Sequence, residues 1–126
     1  MYDLNLYSLP TIDFVGGSTQ DLRFKVFFYA NKKAVDVTNY EAEFSVVDFV
    51  NRDEPIISKP MSVFAGGEIG SIPNILQVIL TKDDTLLHSG KYIYQITIKD
   101  TISGQVDIPK QGIMHIINNI DTNYLM

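Results

Sequence analysis

A chain of 126 residues with a formal net charge of −5 is sized for one domain and carries the wrong sign for following nucleic-acid phosphates, which takes clustered Lys and Arg. Without cysteine, disulfides, thiolate nucleophiles and sulfur-ligated zinc or iron are excluded together. No apolar run approaches the ~20 residues of a membrane helix, and the start Met1-Tyr2-Asp3-Leu4-Asn5 lacks the basic character of a secretory signal, so a soluble protein made in the cytoplasm is expected.

In chain order, Tyr2, Leu4 and Leu6 alternate ahead of Pro10 and have no evident partner in the rest of the chain. Residues 1–11 therefore read as an N-terminal arm. Leu22, Phe24, Val26 and Phe28 alternate with Arg23, Lys25, Phe27 and Tyr29, which predicts a first long strand with the former set inward. Asn31-Lys32-Lys33 supplies a turn. Val35 and Val37 suggest a short extended piece, and Ala42, Phe44 and Val46 alternate with Glu43, Ser45 and Val47 in the next strand, closed by Asn51 to Pro55. Residues 56 to 64 read as one further segment. Pro60 has no backbone N–H for a ladder, so this segment belongs at a sheet edge.

Gly66 to Gly70 is loop, and Ile75 to Leu80 is rich in strand formers. Lys82-Asp83-Asp84-Thr85 leads into the most regular stretch of the chain. There Tyr92, Tyr94, Ile96 and Ile98 fall on one face, with Lys91, Gln95, Thr97 and Lys99 on the other. Asp100 to Gly104 makes a hairpin connection, Pro109 marks a break, and residues 112–117 return as a closing strand. About seven to nine short strands in 12–118 predict an all-β fold, an immunoglobulin-like antiparallel β-sandwich, with 119–126 as a C-terminal tail.

Groups that could carry catalysis are few. His88 sits in a polar corner and His115 shares a strand face with Ile113 and Ile117, without the spacing of a metal ligand set. The carboxylate pairs Asp53-Glu54 and Asp83-Asp84 lack the repeating oxygen ligands of a calcium loop. No serine stands in a Gly-x-Ser-x-Gly elbow, and no Lys-Ser or Lys-Thr follows the glycines at 66, 67 and 70. No enzyme activity, cofactor or metal is expected. A sugar-binding face would have to rest on tyrosines such as Tyr2, Tyr7, Tyr29 or Tyr40, because the chain has no tryptophan.

Apolar residues on faces that should be wet are more suggestive. On an immunoglobulin-like strand order, Phe27 and Tyr29 share one outer face with Ile75 and Ile79, and Val47, Phe49 and Ile93 share the other. These residues, with Tyr2, Leu4 and Leu6 of the arm and Tyr124 and Leu125 of the tail, are the candidate contact residues.

Four segments carry a resemblance through their order and spacing. They are Gly17-Ser18-Thr19 before the first strand, Val35 to Phe44, Leu80-Thr81 through Gly90-Lys91-Tyr92-Ile93-Tyr94, and Gly112-Ile113-Met114. The glycine two residues before Tyr92 matches the tyrosine corner ahead of strand F, with Tyr94 where antibody domains have cysteine. Together they resemble the immunoglobulin-like module of tailed-phage and prophage structural proteins, similar to the amino-terminal domain of the baseplate upper protein. That resemblance implies a non-catalytic, self-associating module located in the virion and assembled in the host cytoplasm. Its partners would be other virion structural proteins and copies of itself, with neither nucleic acid nor membrane. The stalk and receptor-binding connection of the baseplate pattern does not follow the closing strand here, which favours a small stand-alone subunit. A host-surface or glycan-binding module is the alternative.

Overall fold

A computed structural model describes residues 2–5, 11–26, 36–65, 73–108 and 111–121. Two sheets pack face to face. One has the order β1 (Tyr2–Asn5), β3 (Gln20–Lys25), β7 (Pro73–Leu80), β6 (Ser62–Ala65). The other runs β2 (Ile12–Val15), β10 (Gln111–Ile117), β8 (Gly90–Asp100), β4 (Tyr40–Asp48), β5 (Pro55–Pro60), with the two-residue β9 (Val106–Asp107) hairpinned onto β8. Taking β3, β4, β6, β7, β8 and β10 as strands B, C, D, E, F and G reproduces the immunoglobulin division of strands between sheets. The all-β sandwich read from the sequence is the fold, with nine strands beside the small β9 among the described residues.

The inward sets are those the alternation defines. Leu22, Phe24, Ala42, Phe44, Val46, Tyr92, Tyr94, Ile96 and Ile98 are all buried. Phe24 of β3, Phe44 of β4 and Tyr94 of β8 meet in the middle, with ring centroids 5.8 to 6.3 Å apart. In antibody domains a B–F disulfide and a strand-C tryptophan occupy this region. Here three aromatic rings on the same strands pack the two sheets together. The tyrosine corner also forms: Tyr92 donates its hydroxyl to the Ser89 carbonyl at 3.0 Å.

The structure revises several expectations. Residues 2–5 are not detached from the body but pair with β3 in parallel, Leu4 opposite Phe24. A Tyr-x-Leu alternation is strand-forming, and the open edge of β3 offers it a ladder. The two ends of the N-terminal segment lie in different sheets, since β2 pairs in parallel with β10. The sandwich is therefore mixed at two edges. The single edge segment expected over residues 56–64 is two strands: β5 ends at Pro60, and the chain crosses at Met61 into β6 of the opposite sheet. The proline interrupts one ladder where the other begins. Val37 is buried and donates to Pro73 O at 2.8 Å without joining a strand. Lys82–Thr85 is one helical turn, closed by a capping box between Thr81 and Asp84. Phe27, Phe28, Tyr29, Val35, the turn at 31–33 and the loop at 66–70 lie outside the described residues, as do Leu6, Tyr7, Tyr124 and Leu125.

Candidate contact face on the six-stranded sheet

Outward residues of β10, β8 and β4 form rows across the strands. Ile113, Ile93 and Val47 are register partners in one row; Gln111, Gln95 and Ser45 form the next. Toward one end stand His115, Lys91 and Phe49, the last joined to β8 by its N–H donating to Lys91 O at 3.1 Å. Toward the other, Glu43 lies opposite Thr97 and Glu41 opposite Lys99. The face thus has a cationic end, an apolar and amide middle, and a carboxylate-bearing end.

The cationic end is built around Phe49. Lys91 Nζ stands 4.1 Å from the ring centroid and Arg52 Cζ 5.0 Å from it, so two cations share one aromatic ring. Local chain chemistry sets Arg52 there. Asp48 Oδ1 accepts from the N–H groups of Val50 at 2.8 Å and Asn51 at 3.2 Å, which folds the turn, and Arg52 Nε donates to Phe49 O at 3.0 Å. Those two backbone donors hold the Asp48 carboxyl below the usual aspartate value. At the β2 edge, His115 Nδ1 lies 3.8 Å from Asp13, a neighbour that nothing in the sequence spacing signals. In the middle, Gln111 donates an amide N–H to Gln95 at 2.8 Å. Ser45, Val47, Arg52, Pro55, Ile93, Gln95 and Gln111 surround a shallow recess of about 280 Å³. At the carboxylate end, Ser58 donates its hydroxyl to Glu43.

The outer face of the four-stranded sheet differs. Gln77 and Arg23 both donate to Asp21, at 2.8 and 3.4 Å, and hold its carboxyl below the usual value, the Gln77 bond contributing most. Among the described residues this face thus carries a satisfied polar group around Asp21 beside the exposed Ile79.

Of the sequence candidates, Val47 and Phe49 lie on the contact face, half-buried. Ile93 lies on the same face but is 8% exposed, because Val47 and Ile113 flank it across both ladders. It is the floor of the recess, not a protruding contact. On the other sheet Ile79 is 47% exposed, whereas Ile75 is 5% exposed and adds no accessible surface. Tyr2 and Leu4 fall in β1. Tyr40 is half-buried against the core and borders a second recess with Glu41, Glu43, Met61, Lys99 and Val106. Sequence reasoning does not single out Lys91, Arg52, Gln95, Gln111 and Ile113 as residues of this face. The outward alternation of β8 and β10 could have found four of them; Arg52 sits in a turn, where no periodicity marks it.

Among the described residues no three His, Asp or Glu gather as a metal site, and no helix is long and apolar enough to cross a membrane. Fold and face together define an all-β sandwich with a mixed apolar and charged outer face on one sheet. Neither a protein-family model nor a curated protein matches the chain. Among solved structures it is similar to the N-terminal domain of phage TP901-1 ORF48, with a TM-score of 0.50 over 93% of this chain and 94% of that one, at 10% identity. At that identity the two share a fold.

Proposed function

We propose that the chain is a non-catalytic structural protein of a tailed bacteriophage or prophage virion, a tail, baseplate or capsid-surface component that works through protein contacts. Its partners are other virion proteins and further copies of itself. The observation that carries this reading is the outer face of the six-stranded sheet, where half-buried Val47, Ile113 and cation-flanked Phe49 lie beside a recess that Val47 and Ile93 help to line. Partly exposed apolar clusters bordered by charge mark partner sites. The likeness to a phage domain over nearly the full length of both chains supports placing that contact in a virion.

The test is composition of purified particles. Mass spectrometry of density-banded virions from the induced host strain should find the chain at a fixed ratio to the major structural proteins. Its absence from banded particles, with the chain abundant in the same lysate, would overturn the reading.

A further inference from the structure

We propose that two copies of this chain associate face to face through the six-stranded sheet, about a two-fold axis that crosses the strands between Ile93 and Gln95. This deepens the self-association part of the proposed function and rests on it. Three observations carry it.

The first is charge. An axis across the strands at that level reverses each strand onto itself, so the row holding Lys91 and Phe49 lands opposite the row holding Thr97 and Glu43. Lys91 and Arg52, gathered over Phe49, then face Glu43 of the second copy, with Glu41 one row beyond. Two such clusters form, one on each side of the axis, as an isologous interface requires. Asp13 beside His115, Lys99 beside Glu41, and Asp53 and Glu54 after Arg52 are the opposing charges at the rim. The other end-to-end arrangement, with like rows superposed, would set Lys91 and Arg52 against their own copies.

The second is what lies on the axis. The rows that meet there are Val47, Ile93 and Ile113 against Ser45, Gln95 and Gln111, so the recess of about 280 Å³ faces its own counterpart at the centre. An apolar row meets an amide row, and Gln95 and Gln111 have hydrogen-bonding capacity left beyond their mutual bond and the Gln95 N–H donated to Thr97 Oγ1 at 3.3 Å.

The third is that one competing route is blocked. Edge-to-edge pairing at β5 is opposed by Pro55 and Pro60 and by Lys59, which turns inward from the edge to donate to Ile79 O at 2.9 Å and Asp84 at 2.8 Å.

The experiment uses charge reversals mixed between copies. Sedimentation should show a dimer of the native chain. Lys91→Glu and Glu43→Lys should each weaken self-association about tenfold or more, by placing like charges in both clusters. An equimolar mixture of the two variants should recover it, since each cluster then holds one Glu and one Lys. Recovery on mixing cannot come from a misfolded variant. As a second measurement, Lys91→Cys mixed with Thr97→Cys should cross-link through a short bis-maleimide, and Lys91→Cys alone should not. A monomeric native chain, a trimer or hexamer, or reversals that the mixture does not rescue would each overturn the two-fold face. A chain that dimerises in this way yet is absent from virions would overturn the virion reading alone.

Discussion

Gly112 faces Tyr94 across the β8–β10 ladder, and a methyl group there would stand 2.5 Å from the ring's Cζ and 2.7 Å from its hydroxyl oxygen. The ring is fully buried against Phe24 and Phe44 and has nowhere to retreat. Gly112→Ala should therefore destabilise the fold by about 1–3 kcal/mol, read as a lower urea midpoint at unchanged slope. Asp84 makes a second local argument. Burial pushes its carboxyl pKa up, but the Lys59 ammonium, the Thr81 N–H and the Thr81 hydroxyl together outweigh burial and hold it below the ordinary aspartate value. A lowered folded-state pKa contributes stability above the unfolded value, lost as pH falls through the folded one. Asp84→Asn should cost about 1 kcal/mol at neutral pH and converge on the native chain below that acid window, as urea titrations at both pH values would show.

At the scale of elements, the corner and the edges do most to define this sandwich. Tyr92 to Ile98 alternates so regularly that its buried face, its corner hydrogen bond and its central position are all legible in the residues. The break after Pro60 is not. A proline marks an edge or an ending equally well, and only the availability of β7 as a partner sends residues 62–65 to the other sheet. The N-terminal strand reads as a loose arm for a related reason: its hydrophobic alternation is visible, its parallel partner more than a dozen residues away is not. Deleting residues 1–9 should strip β1 from β3 and open a strand edge. The expected result is a lower thermal midpoint and faster heat-induced light scattering; an unchanged midpoint would show that β1 contributes nothing.

For the whole molecule, the proposed pairing of copies would tie stability to concentration. Dimerisation of the folded state adds stabilisation that grows with protein concentration, so a roughly hundredfold increase should raise the thermal midpoint by about 5 °C or more. Glu43→Lys should flatten that dependence while leaving the dilute-limit midpoint nearly in place, because Glu43 is an exposed residue whose side-chain partner is the Ser58 hydroxyl.

The residues alone specify most of the strands and which side of each is greasy, since strand alternation is a property of the local backbone with a period of two residues. They also rule out thiol chemistry. Register, by contrast, emerges only from the assembled sheets. Residues 47, 93 and 113 become one row, Ile93 sinks to the floor between its neighbours, and Lys91 and Arg52 converge on Phe49, through ladders joining segments tens of residues apart. Hydrogen bonds between distant strands carry no signal in either strand alone, so which outward residues become neighbours on this face is decided only when the sheet has formed.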